Sequence, residues 1–182
     1  VHRPYFGIMS EQAHDLSGIA YQGDGDHQQD RVVIVVSKWN DGVTEALYQG
    51  ALQVLLDQGL RPENILRFDV PGSFELPAGA ELALSKYPKL DGVICLGCLI
   101  QGETRHFEFI AQAVSQGVMR VGLDHRKPVI FGVLTTDTQA QADDRAGEFL
   151  WHHHAFYLAY ASKRVPEITN SIRNVDNAQR WG

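Results

Sequence analysis

Within Arg31-Val-Val-Ile-Val-Val-Ser37, the five residues Val32 to Val36 form an aliphatic run with no polar residue on either face. A strand lying on one side of a core alternates apolar and polar residues. A strand that is apolar on both faces belongs instead in a parallel sheet covered by helices above and below. This run therefore reads as the first core strand, with helices expected on both faces of its sheet. At 182 residues the chain suits one domain with a sizeable core. The longest aliphatic run, Val32 to Val36, is too short to cross a bilayer. No basic flank with an apolar stretch stands in residues 1–30, so the expected setting is cytoplasmic, with no membrane partner.

The remaining pattern supplies those helices. Thr44 to Gln58 places Leu47, Ala51, Val54 and Leu55 on one helical stripe, closed by Gly59. Ile65–Val70 reads as a second strand and Phe74–Tyr87 as a helix with Pro77 in its first turn. Residues Asp91 to Gly97 read as a third strand, and His106 to about Gln116 as a helix. Val118–Leu123 and Val129–Leu134 are two further extended runs. Helical patterns cover Thr138–Ala146 and Glu148–Lys163. Strands alternating with helices at this spacing predict an α/β fold: a three-layer α/β/α sandwich with a mainly parallel sheet and helices on both faces. The expected organisation is an extended or mobile arm over 1–29, the α/β domain over 30–165 and a tail over 166–182.

A net charge of −6 leaves no broad cationic surface, so nucleic acid is not an expected partner. The two cysteines, Cys95 and Cys98, are three residues apart on a strand and its exit. They point to opposite faces and fit neither a redox pair nor a zinc site. Three adjacent helical residues, His152 to His154, fan apart by about 100° each, and packing or subunit contact is the default reading there.

In an open α/β sheet, ligands bind beyond the carboxyl ends of the strands. The segment after the third strand, Gly97-Cys-Leu-Ile-Gln-Gly-Glu-Thr-Arg-His106, combines glycines, a hydroxyl, an arginine and a histidine ahead of a helix. Backbone amides there, with Thr104, suit a phosphate, and His106 suits proton transfer near neutral pH. Taken alone, a capping loop with a solvated histidine is an equally good reading. No Walker or Rossmann fingerprint is present. The aromatic residues Trp39, Phe74 and Phe131 each follow or end a strand and suit a flat heterocycle.

These segments, in this order, resemble the 6,7-dimethyl-8-ribityllumazine synthase family. Trp39-Asn40 is similar to the family's Phe-Asn, and Pro71-Gly-Ser-Phe-Glu-Leu-Pro77 to its PGxxELP. Gly97 to Glu108 resembles its GxxIxGxTxHF motif. Pro128 to Thr136 resembles PVxFGxLT, and Gln141 to Gly147 resembles QAxxRAG. The resemblance implies a flavodoxin-like fold with a four-stranded sheet. It also implies condensation of 5-amino-6-(D-ribitylamino)uracil with 3,4-dihydroxy-2-butanone 4-phosphate, with no metal and no cofactor.

Carried over residue by residue, Trp39 stacks on the pyrimidine beside Asn40. Ser73, Phe74 and Glu75 hold the ribityl-pyrimidine, with Glu75 using its carboxylate. Cys98, Leu99 and Ile100 add backbone contacts. Glu103, Thr104 and Arg145 bind phosphate, and His106 moves the proton with Arg145 beside it. The resemblance further implies a homo-oligomer, a pentamer with Phe131 and Arg145 donated across the interface. A single pentamer is favoured over an icosahedral shell of sixty subunits, and riboflavin is an implied ligand.

After Gly147 the chain departs from the family, passing directly to Glu148-Phe-Leu-Trp151 where the family has a Gly-rich turn with Asn and Lys. A second cationic phosphate contact is then absent or supplied from elsewhere. Two rivals stand beside this reading: a flavin or lumazine carrier without turnover, and a generic flavodoxin-like domain.

Overall fold

The computed structural model describes residues 27–148. The readings placed on 1–26, on the helix after Glu148, on the three histidines and on the tail lie outside the described residues.

Four strands form one all-parallel sheet in the order β2-β1-β3-β4: β1 Val32–Ser37, β2 Ile65–Val70, β3 Gly92–Ile100 and β4 Val129–Thr136. Between and after them lie α1 Asp41–Asp57, α2 Leu76–Lys86, α3 His106–His125 and α4 Gln139–Glu148. The order is flavodoxin-like, and every residue of β1 is buried, as its two-faced run requires.

Side-chain alternation divides the core in two. Val32, Ile34 and Val36 pack with Leu47, Ala51 and Leu55 of α1, with Ile94, Leu96 and Cys98 of β3, and with Ala142 of α4. Val33 and Val35 pack with Leu76, Ala80 and Ala83 of α2, with Val93 and Cys95, and with Val114, Val118 and Val121 of α3. Cys95 and Cys98 thus face opposite layers, as their spacing predicted. Burial pushes the Cys95 thiol up to about 12. It pushes Cys98 up to about 11, with Asp143 adding to the shift and the Asn40 amide opposing it. Neither is a thiolate near neutral pH.

Two expectations need correction. Val118–Leu123 is not a strand: it completes α3, which runs twenty residues from His106 to His125. Val114, Val118 and Val121 recur at helical spacing and are buried on the sheet, while Met119 and Leu123 are exposed. Burial of that stripe outweighs the weak strand preference of valine. Gly117 lets α3 lie against α2, since a Cβ there would stand 2.7 Å from Pro77 Cγ.

The second correction concerns Phe131, which does not end a strand. It is the third residue of β4, in register with Cys95, and is half-buried against the α2/α3 layer.

No described helix is long and apolar enough to cross a membrane.

Candidate active site

Strand order reverses between β1 and β3: α1 leaves β1 for one face of the sheet, and α3 leaves β3 for the other. The two loops diverge at the carboxyl ends and open a crevice, the usual ligand position in such sheets.

The β1 exit is held by short-range bonds. Lys38 donates its backbone N–H to Val70 O at 2.8 Å, joining the exits of β1 and β2. The Trp39 N–H reaches the buried Ser37 Oγ at 3.3 Å. Trp39 itself is 71% exposed, so this backbone presents an indole to solvent.

Asn40 then adopts the left-handed conformation, φ 60° and ψ 48°. Asparagine visits that region at lower cost than most residues. Its carbonyl accepts the N–H groups of Val43 and Thr44, each at 3.0 Å, starting α1. Its side-chain Nδ2 donates to Cys98 O at 3.3 Å, bridging the crevice from β1 to β3. The strut uses one N–H of the side-chain amide and leaves Oδ1 and the second N–H for a ligand.

After β2, Gly72 and Glu75 bond reciprocally. The Gly72 N–H donates to Glu75 Oε2 at 2.9 Å, and the Glu75 N–H to Gly72 O at 3.2 Å. One carboxylate oxygen of Glu75 is therefore used in holding its own turn, leaving Oε1 for a ligand. The turn keeps Phe74 57% exposed and buries Ser73, whose hydroxyl has no partner among the described residues. Ser73 fits only because residue 97 is glycine: a Cβ there would stand 2.6 Å from Ser73 Oγ.

Beyond β3, Gln101 donates its N–H to Thr136 O at 2.8 Å, closing the β3 and β4 exits together. Cys98 is buried, whereas Leu99 and Ile100 are half-buried. Residues Gln101 to His106 are all exposed. Glu103 and Thr104 lie in the loop, and His106 is the first residue of α3. No side chain caps that helix, so its first amides remain available to an anion. Arg105 is turned along α3 to Glu108, at 3.2 Å.

One edge of the sheet therefore carries Trp39, Asn40, Ser73, Phe74, Glu75, Cys98, Leu99, Ile100, Glu103, Thr104 and His106. Phe131 is not among them, lying three residues before Leu134, the partner of Cys98. That displacement is about 10 Å along the strand. The backbone of Arg145 belongs to α4, and its side chain lies outside the described part.

Sequence reading missed Ser37, the strut role of Asn40, and Thr136, a buried residue whose hydroxyl is unpartnered at this same edge. Ser37 could have been found as the one polar residue ending an aliphatic run. The Asn40 strut could not, because its partner is 58 residues away.

Residues 29–166 match the profile of the 6,7-dimethyl-8-ribityllumazine synthase family. The chain belongs to that family. A lumazine synthase of Cytophaga hutchinsonii is 55% identical over 141 residues, covering 76% of this chain and 86% of the relative. The 6,7-dimethyl-8-ribityllumazine synthase of Porphyromonas gingivalis is 42% identical over 139 residues, covering 76% and 86%. The matched span contains β1 through α4 with every loop of the crevice described above.

Proposed function

We propose that this chain is a 6,7-dimethyl-8-ribityllumazine synthase of riboflavin biosynthesis, acting in the cytoplasm. It condenses 5-amino-6-(D-ribitylamino)uracil with 3,4-dihydroxy-2-butanone 4-phosphate and releases the lumazine, phosphate and water. The observation carrying this reading is the meeting, at one crevice of a family member, of an exposed indole, an uncapped helix start and a histidine.

In this reading Trp39 stacks on the pyrimidine, giving a larger π surface than the family's phenylalanine. Phe74, the Ser73–Glu75 turn and the free oxygen of Glu75 hold the ribityl-pyrimidine, while Leu99 and Ile100 line the ring through their backbone. Thr104, the amide of Glu103 and the first amides of α3 take the phosphate, joined by Arg145. His106 transfers the proton as the amine attacks the ketone, phosphate leaves and the ring closes with loss of water. Holding two substrates together supplies much of the acceleration.

The reading includes a homopentamer in which Phe131 and Arg145 of the neighbouring copy complete each site. Two features support it: the aromatic platform stands open to solvent, and Phe131 lies well back from its own crevice. The exposed side chains of Leu82, Phe109, Met119 and Leu123 on α2 and α3 supply apolar surface for contact between copies. Riboflavin, which shares the ribityl-substituted ring, is an expected ligand.

Mixing the protein with both substrates should produce the lumazine absorbance; its absence would leave a carrier. Replacing His106 with alanine should slow turnover by about 10²–10⁴-fold, and an unchanged kcat would remove it from the mechanism. The Arg145→Ala variant should raise KM chiefly for the phosphate substrate.

A further inference from the structure

At the amino end of the sheet, opposite the crevice, a second concavity opens beside the starts of β1, β2 and β3. Its volume is about 570 Å³, within the range of small-molecule sites. The six residues of β1 separate it from the crevice by about 20 Å. Its walls are Leu66, Tyr87, Pro88 and the buried Leu90, and its cations are Arg31, Lys86 and Lys89 against the single acid Glu63. In a chain of net charge −6 that concentration of positive charge is unusual.

The walls are held by bonds that leave the heads of Arg31 and Lys89 free. Lys127 donates its ammonium to the carbonyls of Pro88 and Leu90, fixing that loop to the start of β4. The Arg31 N–H donates to Asp91 Oδ2 at 2.8 Å, which uses its backbone and spares its guanidinium. Tyr87 packs against Phe68 with ring centroids 6.0 Å apart, and Lys86 stands over the tyrosine ring at 5.4 Å. Asn64, another wall residue, donates one Nδ2 hydrogen to Gln28 O. Among the described residues neither Arg31 nor Lys89 has an ion-pair partner.

We propose that this concavity is a binding site, separate from the crevice, for an amphipathic organic anion: an apolar ring or chain bearing one phosphate or carboxylate. The volume equals roughly nineteen liquid waters at about 30 Å³ each, so a bare inorganic anion leaves most of it unfilled. The ligand's body lies on Leu66, Pro88 and Leu90, and its charge meets Arg31 and Lys89 at the mouth.

The test is titration of the full chain with 1-naphthyl phosphate and 1-naphthoate, alongside 1-naphthol and inorganic phosphate, followed by naphthyl fluorescence or calorimetry. At least one naphthyl anion should bind, with 1-naphthol and inorganic phosphate each at least about tenfold weaker. Preference between the two anions identifies the head group. Arg31→Ala and Lys89→Ala should each weaken binding about tenfold while leaving lumazine formation unchanged. The Thr104→Val variant, altered only in the crevice, should bind as before.

Three results would overturn the site: no binding of either naphthyl anion, binding lost in Thr104→Val but kept in the Arg31 and Lys89 variants, or equal binding of inorganic phosphate. Displacement of the probe by a peptide of residues 15–26, which carries three aspartates beside Leu16, Ile19 and Tyr21, would also overturn it, by assigning the groove to the chain itself. Lumazine formation is read separately, so the proposal and the function above fail independently.

Discussion

Replacing Gly97 by alanine tests how tightly β3 and the Ser73–Glu75 turn are pressed together. The added Cβ would lie 2.6 Å from Ser73 Oγ, 2.9 Å from Leu76 Cδ1 and 3.2 Å from Ser73 Cβ. Relaxed carbon contacts lie near 3.5–4.0 Å, so Leu76 must retreat by at least about 0.6 Å. It is fully buried at the foot of α2 and has nowhere to swing, and Ser73 is 4% exposed. Overpacking of this kind costs about 1–3 kcal/mol, and the relief of glycine's chain entropy in a strand returns about 0.5–1 kcal/mol. With two of the contacts below 3.0 Å the upper part of the overpacking range applies, leaving a net loss of about 1–2.5 kcal/mol, or a Tm lower by roughly 2–10 °C for a chain of this size. Urea unfolding should show a lower midpoint at unchanged slope. Adding Ser73→Gly removes two of the three contacts, so the double variant should be more stable than the sum of the single losses by about 0.5 kcal/mol or more. Gly97→Ala at wild-type stability, or strict additivity in the double variant, would refute the close approach. Because the displaced turn also carries Phe74 and Glu75, KM for the pyrimidine substrate should rise with the stability loss.

Other consequences are checked as directly. Asn40→Gly keeps the left-handed backbone accessible and deletes only the strut to Cys98 O, so it should cost about 0.5–1.5 kcal/mol in urea unfolding; a wild-type midpoint would show that the strut carries no load. The hydrogen bond from Arg67, at 2.8 Å, holds the Glu45 carboxyl below its ordinary value of 4.5. A lowered folded pKa gives stability that is present above the unfolded pKa and is lost as pH falls through the folded one. Glu45→Gln should therefore be less stable than wild type near neutrality, with the gap closing below pH 4.5. Since Glu45 is 43% exposed, the gap should stay within about 0–1 kcal/mol, and a gap that widens in acid would contradict the assignment. With both thiols raised and buried, Cys95 and Cys98 should resist a thiol-specific disulfide reagent at neutral pH in the folded chain and react on unfolding; rapid labelling of the native protein would count against it.

What the sequence discloses, and what it withholds, follows from the range of the interactions involved. The Val32–Val36 run announces a strand between two helical layers because both of its faces are apolar, and the structure buries all of it. The Cys95 and Cys98 faces follow from strand alternation alone. Val118–Leu123 misleads for the opposite reason. Read as a short aliphatic run it resembles a strand, and only with Val114 does its helical period show, through burial on a sheet assembled from distant segments.

The crevice shows the same division. Its motifs are legible because each is a contiguous loop directly after a strand, and an open parallel sheet gathers such loops at one edge whatever their separation in the chain. Contacts between those loops are not legible. Asn40 spans the crevice to Cys98 O, and Ser73 occupies the space that Gly97 leaves, across 58 and 24 residues respectively. A motif thus names Asn40 without revealing the bond its side chain makes across the crevice. Phe131 sits inside a segment read as strand and is displaced from the crevice by register, which depends on how β4 pairs with β3. A ring at that level stands back from its own crevice, and it is the proposed assembly of copies that would bring it to another's. Its place in the sequence and its place in the fold therefore bear jointly on assembly, and together they say more than either does alone.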